Sequence, residues 1–122
     1  MKRDMDFARD ILLMVEASDG SVSADDAAVG GHSSEEAAYH FQLLAAHGLL
    51  DVEETRAYGG KVVRCRALGL TWDGFDYLDA VRSQRVWDRA KAAIAETAGS
   101  VTVSVLKEVC SKTALAMVSA VL

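Results

Sequence analysis

The chain has 122 residues, of which 51% are apolar and 25% charged, and its formal net charge is −5. That length suits one domain, and the apolar share lies outside the disordered range. The acidic balance argues against indiscriminate nucleic-acid binding, because phosphate affinity comes from clustered Lys and Arg. No apolar run approaches the ~20 residues of a membrane span, and Met1-Lys2-Arg3-Asp4-Met5-Asp6 lacks the apolar core of a signal peptide, so a cytoplasmic location is expected. Cys65 and Cys110 stand far apart, without CxxC or His/Cys metal spacing, and read as reduced, buried thiols.

Ala8, Ile11, Leu12 and Val15 recur at helical spacing, so the first predicted helix covers about Met5 to Ala17, with Asp4 or Asp6 as its cap. Ser23-Ala24-Asp25-Asp26 resembles a capping box for a very short helix that Gly30-Gly31 stops. Ser33-Ser34-Glu35-Glu36 repeats that signal more strongly, and Phe41, Leu44 and Ala45 continue a third helix up to Gly48. The period then changes to that of strands. Leu50 and Val52 alternate with polar residues, Tyr58-Gly59-Gly60 offers a turn, and Val63, Cys65 and Ala67 alternate with Arg64 and Arg66. Thr71 is placed to cap a fourth helix to about Arg82, with Phe75, Leu78 and Val81 facing inward. Trp87, Ala90, Ile94 and Ala98 mark a fifth helix ended by Gly99, and Ser100 or Thr102 caps a sixth.

The expected fold is therefore mainly α with a small β-hairpin: a winged helix-turn-helix with additional C-terminal helices. Residues 1–84 form the predicted core, and residues 85–122 a helical extension that packs on it or pairs with a second chain. With no proline, repeat or low-complexity run, nothing marks a linker, and one domain is expected overall.

Two motifs carry a resemblance. The run from Tyr39 to Leu49 is similar to the end of the recognition helix in ArsR-type and PadR-type regulators. Leu70-Thr71-Trp72-Asp73-Gly74, followed by Leu78, resembles the helix start after the wing in MarR-type and PadR-type proteins. A broader resemblance runs from Met1 through the Tyr39-His40 and Leu70–Gly74 segments to Val86-Trp87 and Gly99-Ser100-Val101. It is to a family of small bacterial and prophage proteins of unknown function, and it implies the fold and a mobile-element origin rather than an activity.

Catalysis needs a nucleophile with a positioned base, or metal ligands with an open position, and no such constellation is present; no enzyme, cofactor or metal is expected. His40 and His47, with Glu36 a turn earlier, read as helix-supporting residues, with a regulatory metal site as the minor alternative.

The leading expectation is a DNA-binding regulator that places the helix near 34–47 in a major groove. Ser33, Ser34, Tyr39 and Gln42 would face the bases, while Arg56, Lys61, Arg64 and Arg66 of the hairpin would meet phosphates of duplex DNA. Against it, no Lys or Arg occurs from Ala17 to Leu50, where Asp19, Asp25, Asp26, Glu35 and Glu36 collect. The alternative is a phage or mobile-element module that docks on a host protein complex, such as a defence complex, through that acidic segment. A homodimer is expected in either case, with Trp87, Ile94, Leu106, Met117, Val118 and Val121 as interface candidates.

Overall fold

Caps decide where the helices begin. The computed structural model describes residues 1–97 and 102–121. The Phe7 N–H donates to Asp4 Oδ1 at 3.0 Å, which starts α1 (Met5–Ala17) and selects Asp4 from the two expected caps. A two-residue strand, β1 (Val22–Ser23), follows, and Ser23 then caps α2 (Ala24–Ala27) by accepting from the Asp26 N–H at 3.1 Å. Ser33 does the same for α3 (Ser34–Ala46), with Glu36 N at 3.1 Å. Each such cap satisfies an otherwise orphaned donor and is worth ~1 kcal/mol. Gly48, at φ 84°, takes the left-handed conformation that ends α3.

The hairpin is β2 (Leu50–Arg56) and β3 (Val62–Leu70), and its turn carries Gly59 and Gly60 at φ 96° and 88°. The sequence predicts two strands; the sheet has three, all antiparallel, in the order β1-β3-β2. β1 is missing from the expectation because two residues are too short to show a period.

The paired register shifts between Asp51 and Val52 and again between Thr55 and Arg56. Each shift is a bulge that leaves one residue of β3 unmatched, Leu68 in the first and Val63 in the second. Val63, expected to face inward, is accordingly 60% exposed, whereas Cys65 and Ala67 are buried.

α4 (Trp72–Val81) starts where the helix-opening motif places it. Thr71 Oγ1 accepts from the Gly74 N–H at 3.0 Å and donates its own proton to the Gly48 carbonyl. The Thr71 N–H reaches the Leu49 carbonyl at 3.1 Å. A Cβ on Gly74 would lie 2.1 Å from that same Leu49 oxygen, so only glycine permits the approach. Gly74, Tyr77, Leu78 and Val81 then form the buried stripe at i, i+3, i+4 and i+7. Phe75, expected inward, sits one position off that stripe and is 45% exposed.

Contacts divide the chain into two units, Met1–Phe75 and Asp76–Leu122. The first unit buries Phe7, Ile11 and Leu12 of α1, Phe41 of α3 and Ala67 of β3 almost completely. Burying each large apolar side chain contributes ~1.5–3 kcal/mol. In the second unit, α5 (Gln84–Thr97) packs on α6 (Val103–Val121). Trp87, Ala90 and Ile94 of α5 are buried, as are Leu106 and Cys110 of α6. Thr102 caps α6 through the Val105 N–H at 3.2 Å; Gly99 and Ser100 lie outside the described residues. Among the described residues, no helix is long and apolar enough to cross a membrane.

Candidate binding groove

α3 is held at its N-terminal end by a polar cluster shared with α1. His40 is buried, and its Nδ1 donates to the Glu36 carbonyl at 2.8 Å while its Nε2 accepts from the Asp4 N–H at 2.9 Å. One ring nitrogen donating and the other accepting defines a neutral imidazole with the proton on Nδ1. His32 stacks on Phe7 at 3.7 Å with the rings 6° from parallel, and Phe7 meets His40 edge-on at 5.0 Å. His32 Nδ1 donates to Glu36 Oε2 at 2.8 Å, and its Nε2 lies 3.9 Å from Asp4 Oδ2. The His32 hydrogen bond holds the Glu36 carboxyl below its ordinary value of 4.5, helped by the backbone donor of the Ser33 cap.

This cluster fixes what α3 shows to solvent. Ala37, His40, Phe41 and Leu44 face inward, and Ser34, Glu35 and Ala38 form one wall of an open groove of about 530 Å³. Asp25 and Asp26 of α2, Val62 to Arg66 of β3, and Ser21 and Ser23 also line the groove. Asp25, Asp26 and Glu35 are exposed, and among the described residues none of them makes an ion pair. Arg64 is exposed and likewise makes no ion pair, whereas Arg66 is half-buried and donates to Ser21 Oγ. The groove thus sets three carboxylates against two guanidinium groups, one of which is already engaged.

Of the residues expected to read DNA, the fold gathers Ser34, Arg64 and Arg66 into this groove. The other five lie elsewhere. Ser33 is spent as a cap, Tyr39 rests edge-on against His40 at 5.7 Å, and Gln42 is half-buried further along α3. Arg56 closes its own hairpin, donating to the Gly60 carbonyl at 2.8 Å and to Glu54 at 2.9 Å, and Lys61 is exposed beside it. Of the five acidic candidates, Asp25, Asp26 and Glu35 line the groove, Glu36 belongs to the histidine cluster, and Asp19 is exposed in the loop before β1. His47 is exposed at the end of α3 and His40 is saturated with backbone partners.

The sequence does not point to Ser21, Ala38 or Val62 as lining residues, because pairing and packing between segments distant in sequence bring them together. Cys65 also borders the groove, but burial and the Glu54 charge push its thiol up to about 11, which makes it a poor nucleophile. Of the expected dimer-interface residues, Trp87, Ile94 and Leu106 are buried in the single chain, Met117 is half-buried and Val118 is exposed. The Val121 side chain lies outside the described residues.

The described residues comprise six helices and a small antiparallel sheet, with an open groove of mixed charge in the first unit, and include no metal-binding cluster. The chain belongs to the family described as "Hypothetical protein (DUF2513)", whose model matches residues 2–100. It is 32% identical over 112 residues to an uncharacterised protein of Haemophilus influenzae, an alignment spanning 89% of this chain and 92% of that protein. No solved structure matches this chain.

Proposed function

We propose that this chain is a non-enzymatic winged-helix binding module, and that the partner met by α3 and the hairpin is a protein. The element order from α1 to β3, with β1 paired on the far side of β3 from β2, supports the winged-helix reading. The observation that carries the choice of partner is the helical wall of the groove. Asp25, Asp26 and Glu35 stand on the surface that a winged helix brings to its target, and no Lys or Arg lies between Ala17 and Leu50 to offset them. A duplex presents one phosphate charge per ~1.7 Å of its axis and is repelled by such a wall. A basic protein surface is attracted and steered to it. The resemblance to prophage proteins makes a host complex the class of partner we propose.

One observation favours duplex DNA instead: Lys61 and Arg64 are exposed on the same hairpin and, among the described residues, neither makes an ion pair. A salt series with random and upstream-region duplexes separates the two readings. The protein reading expects no duplex binding at low salt. Tight binding whose salt dependence becomes shallower in Arg64→Ala/Arg66→Ala overturns it in favour of a DNA-binding regulator. In a host lysate, the wild-type chain is expected to retain a protein that Asp25→Lys/Glu35→Lys loses and Arg56→Ala keeps.

The module is further proposed to pair with itself through α6, where Leu115 and Val118 are exposed. Sedimentation equilibrium of Leu115→Glu/Val118→Glu then reports a monomer; a wild-type monomer removes the dimer.

A further inference from the structure

We infer that the groove takes a short, extended, basic segment of the partner as an added strand on the open edge of β3, an inference that rests on the protein-binding reading above. β2 pairs with one side of β3 from Val62 to Leu70. On the other side β1 covers only Arg66 and Ala67, through Ser23 and Val22. Among the described residues, no strand lies along that side of Val62 to Cys65, and these are the residues that line the groove.

Backbone N–H and C=O groups alternate along a strand edge, and where they are unpaired they form a ready template for an incoming strand. β1 cannot supply the missing length, because its last residue, Ser23, is committed as the cap of α2. The stretch without a paired strand on that side is four residues, or ~13 Å at ~3.3 Å per residue.

Two features choose the occupant. The bulge at Val63 interrupts the ladder near the far end of the open stretch, and residues of α2 and α3 line the groove together with β3. A long, flat edge from a second copy is therefore excluded, while a single chain fits between strand and helices. Charge sets its composition. Asp25, Asp26 and Glu35 are not ion-paired among the described residues and outnumber the Arg64 and Arg66 guanidinium groups of the same groove, so its lining carries an excess of negative charge. Lys or Arg side chains alternating along the segment complete that arrangement.

The test uses the full chain, labelled with 15N, and capped synthetic peptides. The probe is Val-Lys-Val-Lys-Val; the controls are Val-Glu-Val-Glu-Val and a backbone N-methylated form of the lysine peptide. The lysine peptide is expected to shift the amides of Val62 to Cys65 and slow their hydrogen exchange, with about tenfold weaker binding by Asp25→Lys/Glu35→Lys. N-methylation, which removes donors while keeping charge, is expected to abolish binding.

Equal binding of the N-methylated peptide overturns strand addition and leaves the protein-binding reading standing. Binding of the glutamate peptide in place of the lysine one overturns the basic occupant. A free chain whose self-association through β3 is competed by the lysine peptide puts a second copy in the groove and also overturns it. No peptide binding together with salt-dependent duplex binding brings down this inference and the protein reading alike.

Discussion

α3 is closed at its ends and open along its side, and the two regions handle polarity differently. At the N-terminal end, Asp4, His32, Glu36 and His40 satisfy one another or nearby backbone within 2.8–3.0 Å, apart from the longer 3.9 Å approach of His32 to Asp4. At the C-terminal end, Thr71 and Gly74 seat the first turn of α4 on the Gly48-Leu49 carbonyls. Along the groove, Asp25, Asp26 and Glu35 make no ion pair among the described residues. Exposed, unengaged charges contribute little to folding, whereas a buried polar group with both partners made, such as His40, is costly to disturb. Similar residue types thus hold the helix in place at one site and are available to a partner at the other.

The largest expected effect lies at the C-terminal closure. Gly74→Ala puts a methyl group 2.1 Å from a backbone oxygen that cannot move aside without distorting the turn. A loss of about 3 kcal/mol is expected by denaturant unfolding. A loss below ~1 kcal/mol shows that the turn yields and that this end is not closed. His40→Leu comes next. It keeps the bulk but orphans the Asp4 N–H, for a loss of about 2 kcal/mol.

The pH dependence at Glu36 is smaller and has a defined sign. Its carboxyl is held below 4.5 in the folded chain, so the stability it contributes is fully present above 4.5 and is lost as pH falls through the lowered value. Wild type and Glu36→Gln are expected to differ in denaturant midpoint near neutral pH and to converge below 4.5. A constant gap across that range shows that His32 is not the source of the effect.

The smallest effect belongs to the groove. Asp25→Lys/Glu35→Lys is expected to change stability by no more than ~0.5 kcal/mol while altering binding. A large stability loss there erases the distinction between end and side.

Local chemistry made much of this legible. Ser23, Ser33, Thr71 and Thr102 cap helices, and Gly48 ends one, because hydroxyls and left-handed turns act over three or four residues of sequence. The hairpin was legible from its period. What stayed hidden depends on elements distant in sequence: β1 is defined by its pairing with β3, and Val63 leaves the alternation because of a bulge against β2. Tyr39 has the helical position of a reading residue, but it is half-buried with its ring edge-on to that of His40. The groove combines Asp25 with Arg64, thirty-nine residues apart, and no spacing rule joins them.

Ser23 ends a strand and begins a helix at one residue. The width of the opening above it is therefore not a free design variable. Lengthening β1 by a single residue to shelter more of its neighbour would unwind the first turn of α2 and withdraw Asp25 and Asp26 with it. Shortening β1 would leave Val22 unpaired and uncouple the loop from the sheet. Drift at this junction is thus penalised in both directions, and a single hydroxyl, that of Ser23, holds the strand end and the helix start in register beside the groove it lines.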